Sequence, residues 1–415
     1  MIKRFLTILS VISAALVCAV FYYSGRRVAY AYDAERRAHI EIEADGKTFT
    51  YDDEIIVPSD FSVGEEIEKR GINLSLDGKL VLVDEYLRGG ADYKTALSVC
   101  FPRLIKFIDS IADRVNIPAR DSEVVYKDGE FFASNDFSGR KLDKNALYLS
   151  VYYTLRYGSD EKIKASTVKV FPNIKKSELK EKLVLRGQYT TNYSSSTSMR
   201  ADNIVLALSK IDGMCIEAGG VMSFNAAVGE RTAENGFKTA KIISDGKYVD
   251  GVGGGVCQAS TAVYNAALRS GLRCVANAHS ICPSYCDPGL DAMISSVSDL
   301  VIYNNTDSPI YISARSNNRS STVKFFGVKN EYDRIVPESE VVSTERFQEV
   351  ETVDYERKFF SPDTPSGDRL LVAPGRNGFK SETYLCYYVG GVLTKRDRIR
   401  TNSYKSSPQI IAIAP

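Results

Sequence analysis

Three short stretches of the chain alternate apolar and polar residues on either side of an Asp-Gly pair. Alternation with a period of two is typical of half-buried strands, and Asp-Gly favours the tight turn that joins two of them. The pattern therefore predicts β-hairpins over residues 40–51, 72–83 and 124–132.

Between these stretches the apolar positions change to a helical period. Residues 93–115 place apolar side chains every three or four positions, with Pro102 as a kink or a late start, and residues 142–157 also predict a helix. A strand is predicted over residues 165–171. Small strands mixed with single helices indicate compact α+β modules. We therefore predict an α+β, multidomain protein.

Three consecutive glycines, Gly253-Gly254-Gly255, precede the segment around which the chain is organised. After them, small and apolar residues recur at helical spacing as far as Leu268, and Gly271 stands where a C-terminal cap would. We therefore predict a glycine turn that delivers Cys257 to the first turn of a helix.

One stretch, Phe5 to Tyr23, is apolar enough to enter a bilayer, and basic residues flank it on both sides. About 20 mostly apolar residues span a hydrocarbon core, so we predict an uncleaved membrane anchor within residues 1–30. A cleaved signal peptide is the alternative, although the small residues of Ala29-Tyr30-Ala31 lie far beyond the apolar run. With the anchor, the protein is single-pass in the cell membrane and its body is extracytoplasmic.

The composition is that of an ordinary globular protein of 415 residues, with 44% hydrophobic and 25% charged residues. Such a length suggests about two to four domains. Lys and Arg together number 53 against 52 for Asp and Glu, so no basic excess argues for nucleic-acid binding. The eight cysteines do not form a disulfide framework in a chain this long.

Cys257 is the candidate nucleophile. At a helix N-terminus, unpaired N–H groups and the helix dipole favour a thiolate over a thiol. His279 is one of only two histidines and is the candidate base of the main body. Either Asp291 or Asp299 would orient the imidazole, and we prefer Asp291 because it follows a glycine turn. This chemistry requires no cofactor, and none is predicted.

Five residues around the nucleophile are predicted to bind substrate. The glycines Gly254 and Gly255 would let a carbonyl oxygen approach the backbone, and the N–H groups of the nucleophile itself and of Gly255 or Gln258 would stabilise the oxyanion. Arg231 would hold a substrate carboxylate. Ser280 follows the candidate base directly. The alternative for Gln258 and Ser280 is a local structural role in satisfying backbone groups.

A second hypothesis uses the same histidine in a different class of site. Cys274, His279, Cys282 and Cys286 have the residue types of a tetrahedral structural zinc site, but their spacing fits no common zinc motif, so no metal is predicted. Cys282 and Cys286 would instead pair as a local disulfide after export. A third hypothesis is a non-catalytic protein in which Cys257 has no chemical role.

From about Tyr189 to Gly327 the chain closely resembles the VanW domain. Eight blocks carry the resemblance, in order Ser223-Phe224-Asn225, Val228-Gly229-Glu230-Arg231-Thr232, the segment from Gly253 to Thr261, Tyr264-Asn265-Ala266, His279-Ser280, Gly289-Leu290-Asp291-Ala292, Asn304-Asn305-Thr306 and Pro309-Ile310-Tyr311-Ile312. Two departures are Asn277-Ala278, beside the base, and Ser295-Ser296. The resemblance implies a domain at residues 189–327.

The VanW resemblance also implies a function in the bacterial envelope. The family is named for glycopeptide-resistance gene clusters, and some members resemble L,D-transpeptidases that cross-link peptidoglycan stem peptides through a cysteine. It therefore implies a peptidoglycan-modifying acyl transferase with stem peptides as partners. The alternative is a non-catalytic cell-wall-binding or assembly protein associated with glycopeptide resistance.

Two flanking regions suggest further domains. Residues 117–122 and 137–143 resemble a peptidoglycan-binding module found ahead of certain cell-wall domains, which implies an α+β region over residues 31–180. A spacer that holds the next domain away from the membrane is the alternative. Residues 343–415 are strand-rich and resemble a small glycine-containing β module, either adhesive to glycan or protein or a folded appendage.

Overall fold

The computed structural model describes residues 38–52, 76–244, 247–317 and 319–415. Among these residues no helix is long and apolar enough to cross a membrane. The anchor predicted at Phe5–Tyr23 lies outside the described residues and stays a prediction. The chain divides into two compact units, residues up to Ala119 with Ser138–Phe171, and Arg120–Phe137 with Pro172–Pro415. Both mix helices and strands, which confirms an α+β, multidomain protein.

The elements up to residue 192 are short. In chain order they are β1 (His39–Ala44), β2 (Lys47–Asp52), α1 (Leu76–Arg88), α2 (Tyr93–Cys100), α3 (Pro102–Val115), β3 (Val124–Lys127), β4 (Glu130–Ala133), β5 (Gly139–Leu142), α4 (Lys144–Tyr157), β6 (Ile163–Lys164), β7 (Thr167–Val170), α5 (Lys176–Glu181) and β8 (Val184–Asn192).

The first unit packs helices α1 to α4 with a small sheet in which β1 pairs with β2 on one side and β6 on the other. The helix α3 begins at Pro102, because proline has no N–H to donate and suits a first helical position.

Four elements predicted from the sequence are confirmed across the two units. They are the hairpins at 40–51 and 124–132, the helix at 142–157 and the strand at 165–171.

The hairpin predicted over residues 72–83 is wrong, because helix α1 begins at Leu76. Asp77 lies in its first turn, where a carboxylate stabilises the positive end of the helix dipole. Leu80 and Val83 are buried on one face with the i, i+3 spacing of a helix. The Asp-Gly pair therefore starts a helix here and does not turn a hairpin.

The next elements form the centre of the second unit. They are α6 (Ser198–Ser209), β9 (Cys215–Ile216), β10 (Val221–Ser223), α7 (Phe224–Val228), β11 (Thr239–Ser244), β12 (Lys247–Val252), α8 (Val256–Arg269), β13 (Arg273–Val275), β14 (Val301–Tyr303), β15 (Ile310–Asn317) and β16 (Ser320–Gly327). Helix α8 packs against the sheet β8-β16-β15-β9 and is buried at every position from Gln258 to Leu268. The helix predicted after the glycine turn is thus confirmed, and its many alanines allow this close packing on all sides.

The C-terminal strands form two further sheets. They are β17 (Arg334–Glu345), β18 (Glu349–Val353), β19 (Arg369–Ala373), β20 (Gly378–Val389), β21 (Val392–Tyr404) and β22 (Gln409–Ile413), paired in the orders β17-β20-β21 and β18-β22-β19. Ile335 of β17 and Leu385 of β20 lie in the same apolar core as helix α8. The C-terminal strands are therefore packed directly on the element that carries Cys257.

Candidate active site

The glycine turn before α8 brings strands β11 and β12 close to the helix start. A Cβ atom on Gly254 would lie 2.7 Å from backbone atoms of Ala240 and Lys241, which is too close for any side chain. Gly255 caps the helix with a φ of 108°, a left-handed conformation that favours glycine. The sequence therefore needs glycine at both positions to place Cys257 in the first helical turn.

Asn203 holds this turn in place from helix α6. It is fully buried, and its side-chain amide donates to the carbonyl oxygens of Gly254 at 2.9 Å and Lys238 at 2.8 Å. Its carbonyl oxygen accepts from the N–H of Lys238 at 2.7 Å. This residue is not among those predicted from the sequence. The signal was present, because Asn203 is a polar residue beside the apolar stripe that includes Ile204 and Leu208.

One face of helix α8 holds the segment 290–294 in an extended path along its length. Residues three and four apart on a helix share a face, and here they bond alternate residues of that segment. The contacts are Cys257 Sγ to Ile294 O at 3.5 Å, Ser260 Oγ to Ala292 O at 2.6 Å, Ala292 N to Thr261 Oγ1 at 3.0 Å and Asn265 Nδ2 to Leu290 O at 2.7 Å. Asp291 is thereby fixed relative to the nucleophile.

Cys257 is half-buried and is hydrogen-bonded to His279. Burial by itself raises the pKa of a thiol, but the hydrogen bond and the charge of His279 outweigh it and lower the pKa of Cys257 below its usual value, with a smaller contribution from the positive charge of Arg231. The thiol is therefore not sealed in apolar packing, and it ionises more readily than an ordinary cysteine.

His279 and Asp291 form a buried pair. The N–H of His279 donates to Asp291 Oδ2 at 2.7 Å, and Nδ1 of the imidazole lies 2.6 Å from the same oxygen. This leaves Nε2 available to the thiol of Cys257. Burial lowers the pKa of His279, but the bonds to Asp291 and Cys257 prevail and raise it to about 9. The lowered pKa of Cys257 and the raised pKa of His279 both shift the balance from a thiol and a neutral imidazole toward a thiolate and an imidazolium.

Asp299, the other acidic candidate, is placed elsewhere. Its carboxylate accepts from Ser223 Oγ at 2.5 Å and from the N–H of Asn225 at 2.8 Å, at the start of helix α7. It therefore stabilises a helix N-terminus. Of the two candidates, Asp291 contacts His279.

Two residues of strand β21 complete the surroundings of Asp291. The hydroxyl of Tyr404 donates to Asp291 Oδ1 at 2.6 Å, and Arg400 Nη1 donates to the backbone oxygen of Asp291 at 2.7 Å. Another guanidinium nitrogen of Arg400 lies 3.7 Å from Oδ1. Neither residue is predicted from the sequence, because both lie more than a hundred positions beyond the aspartate and strand alternation does not identify them.

The residues predicted to bind substrate have different surroundings. Arg231 donates to Asn225 Oδ1 at 2.8 Å and is close enough to Cys257 to lower its pKa. Ser280 is exposed beside His279. The Gln258 side chain is 1% exposed and donates into strand β8, and its N–H donates to Gly255 O at 2.9 Å. The side-chain amide and the backbone N–H of Gln258 thus both donate within the fold, and substrate binding by Gln258 stays a prediction.

The zinc alternative is not supported by the geometry. In the described ranges no three His, Cys, Asp or Glu side chains converge as metal ligands, so Cys274, Cys282 and Cys286 do not gather around His279. All three are free thiols, and the local disulfide between Cys282 and Cys286 is not formed. The imidazole is instead shared between Cys257 and Asp291.

Two family models match this chain. One described as VanW like protein matches residues 199–326, and one described as G5 domain matches residues 344–413. The first contains Cys257, His279 and Asp291, and the second contains Arg400 and Tyr404. The residues around Asp291 thus come from both matched segments.

Among curated proteins, the uncharacterized protein YoaR of Bacillus subtilis (strain 168) is 36% identical over 182 residues, which is 43% of this chain and 59% of that protein. The chain thus spans less than two thirds of the length of this relative. Among solved structures, the IgA1 protease G5 domain is 21% identical over 21% of this chain and 94% of that chain, with a TM-score of 0.14. The HP0197-G5 structure is 18% identical over 19% of this chain and 95% of its own, with a TM-score of 0.11.

Proposed function

This chain is a VanW-family protein with a C-terminal G5 domain, and we propose that it catalyses acyl transfer between peptidoglycan stem peptides through Cys257. The observation that carries the proposal is the ordered series of a half-buried thiol, an imidazole and a buried carboxylate, in Cys257, His279 and Asp291. Cysteine acyl transfer requires these three groups in this order.

In the proposed reaction the thiolate of Cys257 attacks a peptide carbonyl of the donor stem peptide. The tetrahedral oxyanion is stabilised by N–H groups at the glycine turn, with those of Gly255 and Cys257 as candidates. Collapse breaks the carbon–nitrogen bond, and the leaving amine takes the proton of His279, which leaves a thioester on Cys257. An amine of the acceptor peptide then attacks the thioester, gives its proton to His279 and regenerates the thiolate.

The identity of the reaction as L,D-transpeptidation derives from the resemblance, since water in place of the acceptor amine would give hydrolysis by the same steps. Arg231 is positioned beside Cys257 and is the candidate to attract a carboxylate of a stem peptide. Ser280, which is exposed beside His279, is the other candidate to contact substrate. We further propose that the protein works in the cell envelope, anchored through Phe5–Tyr23, and that its G5 domain binds cell-wall components.

The test is product formation by the full chain, purified in detergent and incubated with purified stem peptides, with dimers counted by mass spectrometry. We expect Cys257→Ala to reduce the yield by at least about 10³-fold, as removal of a nucleophile does in other acyl transferases. Cys274→Ala is the matched control, because it removes a neighbouring thiol packed on the same core, and it should retain product formation. Equal yields from wild type and Cys257→Ala would leave a binding or assembly function instead.

A further inference from the structure

The hydroxyl of Tyr404 lies between two groups of the segment that carries Asp291. It donates to Asp291 Oδ1 at 2.6 Å and accepts from the N–H of Gly289 at 2.5 Å. Tyr404 is only 3% exposed, so water does not compete for these bonds. One hydroxyl therefore ties the carboxylate to the backbone two residues before it.

The two oxygens of Asp291 are divided between the two partners. Oδ2 takes both bonds from His279, and Oδ1 takes the bond from Tyr404. A carboxylate held at both oxygens cannot rotate about its last bond, so the oxygen that meets the imidazole is fixed. Burial raises the pKa of Asp291, but the bonds from His279 and Tyr404 lower it, so the carboxylate stays ionised opposite the imidazole.

Other C-terminal residues hold both ends of the segment 280–291. The N–H of Lys405 donates to Ser280 O at 2.8 Å, directly after the candidate base. At the other end, Thr383 Oγ1 donates to Gly289 O at 3.1 Å, and Arg400 donates to the backbone oxygen of Asp291. Gly289 has no room for a side chain, since a Cβ there would lie 2.3 Å from Thr383 Oγ1.

We propose that Tyr404 is a positioning residue for the Cys257–His279–Asp291 site, and that the G5 domain thereby completes the reaction site of the VanW domain. This inference rests on the proposed function. Tyr404 acts through Asp291 and does not contact substrate. The G5 domain accordingly has a role in the chemistry in addition to any binding of the cell wall.

Tyr404→Phe tests the inference with little change of shape, because only the hydroxyl is removed. Without it, Oδ1 of the buried carboxylate loses a donor, the ion pair with His279 weakens, and Cys257 ionises at higher pH. We expect the midpoint of Cys257 alkylation to rise by about one pH unit, with a rate at pH 7 about 10-fold lower. The measurement is alkylation of the full chain against pH, with the Cys257 peptide quantified by mass spectrometry.

Tyr193→Phe is the matched control. Tyr193 is also 3% exposed, and its hydroxyl bonds Ser321 Oγ at 2.8 Å, away from Asp291. The Tyr193→Phe variant should lose a similar amount of stability, measured by urea unfolding, and should leave the midpoint of Cys257 alkylation unchanged. A folded Tyr404→Phe with the wild-type midpoint would overturn the inference. If Tyr404→Phe does not fold, Thr383→Val decides, because it removes only the bond to Gly289 O and should raise the midpoint by a smaller amount.

The outcomes separate this inference from the proposed function. If the wild-type midpoint of Cys257 alkylation is low but no stem-peptide product forms, the transpeptidase proposal is wrong and the positioning role of Tyr404 can still be measured. If the wild-type midpoint is low and Tyr404→Phe does not change it, only the positioning role of Tyr404 is wrong. A wild-type midpoint near the ordinary thiol value of about 8.5 would overturn both.

Discussion

Cys257 and Cys274 show what separates a nucleophile from a structural cysteine in the same core. Both are half-buried and pack against the apolar cluster around helix α8. Burial raises the pKa of Cys274 to about 12, whereas the pKa of Cys257 is lowered. The difference is the environment of the sulfur, because Cys257 meets His279 at a helix start and the Cys274 thiol lies 3.6 Å from the backbone oxygen of Leu272.

The comparison extends to the other cysteines that the structure describes. Burial raises the pKa of Cys100 to about 12 and those of Cys215 and Cys282 to about 11, and it also raises those of Cys286 and Cys386. Among the cysteines that the structure describes, Cys257 alone has a lowered pKa. Partial burial is therefore not what activates a thiol here.

The largest expected difference is in the rate of alkylation at pH 7. A thiol with a pKa near 12 is ionised to about one part in 10⁵ at that pH, so Cys257 should react at least about 10³-fold faster than Cys274. The expected pH dependence follows from the directions in which the pKa values of Cys257 and His279 are shifted. The Cys257 thiolate is lost as pH falls through its lowered pKa, and its imidazolium partner is lost as pH rises through about 9.

Site-resolved mass spectrometry of iodoacetamide adducts, collected across pH, checks this prediction. Cys274 should become reactive only as pH approaches about 12 or after unfolding in urea. Equal rates for the two cysteines at pH 7 in folded protein would contradict it.

The next largest effect is expected from His279→Gln. Burial then acts on the Cys257 thiol without the opposing imidazolium, so its pKa should rise above the ordinary value and its alkylation at pH 7 should slow by about 100-fold. The Cys274 peptide in the same digest is the internal control and should not change. An unaltered Cys257 rate would mean that the helix start alone ionises this thiol.

Gly254→Ala tests whether the glycine turn is required. Its Cβ would overlap the backbone of Ala240 and Lys241, which cannot move aside as a flexible side chain could, so we expect a loss of about 1–3 kcal/mol in the free energy of unfolding. Gly89→Ala is the control, since its Cβ would meet ordinary contacts of 3.4 Å to Tyr86 O and 3.5 Å to Glu85 O. In Gly254→Ala, the free energy of unfolding measured in urea should fall and the pH midpoint of Cys257 alkylation should change. In Gly89→Ala, neither quantity should change.

The smallest effect is expected from Arg231→Gln. Its charge is the weakest of the influences that lower the pKa of Cys257, so alkylation at pH 7 should fall by only about 2- to 3-fold. Lys238→Gln is the control, because Lys238 is an exposed cation paired with Asp202. A fall in stem-peptide affinity without any change in alkylation would instead show that Arg231 acts only on substrate.

Local patterns were sufficient to predict much of this molecule. The glycine turn, the helix after it and the meeting of Cys257 with His279 follow from spacing and from the scarcity of histidine. The hairpin predicted at 72–83 failed because Asp-Gly favours both a tight turn and a helix start, and only the burial of Leu80 and Val83 separates the two.

The rest of the site depends on tertiary contacts that the sequence does not encode locally. Asp291 and Asp299 are the same residue type and close in sequence, but side chains of helix α8 bond the backbone on either side of Asp291, and only Asp291 contacts the imidazole. Tyr404 belongs to a strand that packs on the site from a different domain. The contact of Tyr404 with Asp291 cannot be predicted from the sequence, because only the folded chain brings strand β21 against Gly289.

The bond from Tyr404 to Asp291 also has a consequence for biosynthesis. A polypeptide is made from its N-terminus, so the thiol and its imidazole leave the ribosome well before strand β21. Until the C-terminal strands have folded, the loop between Ser280 and Asp291 lacks its contacts with Lys405, Thr383 and Tyr404. The nascent chain would therefore carry a less reactive cysteine during translation, and its full reactivity would arise only in the finished protein.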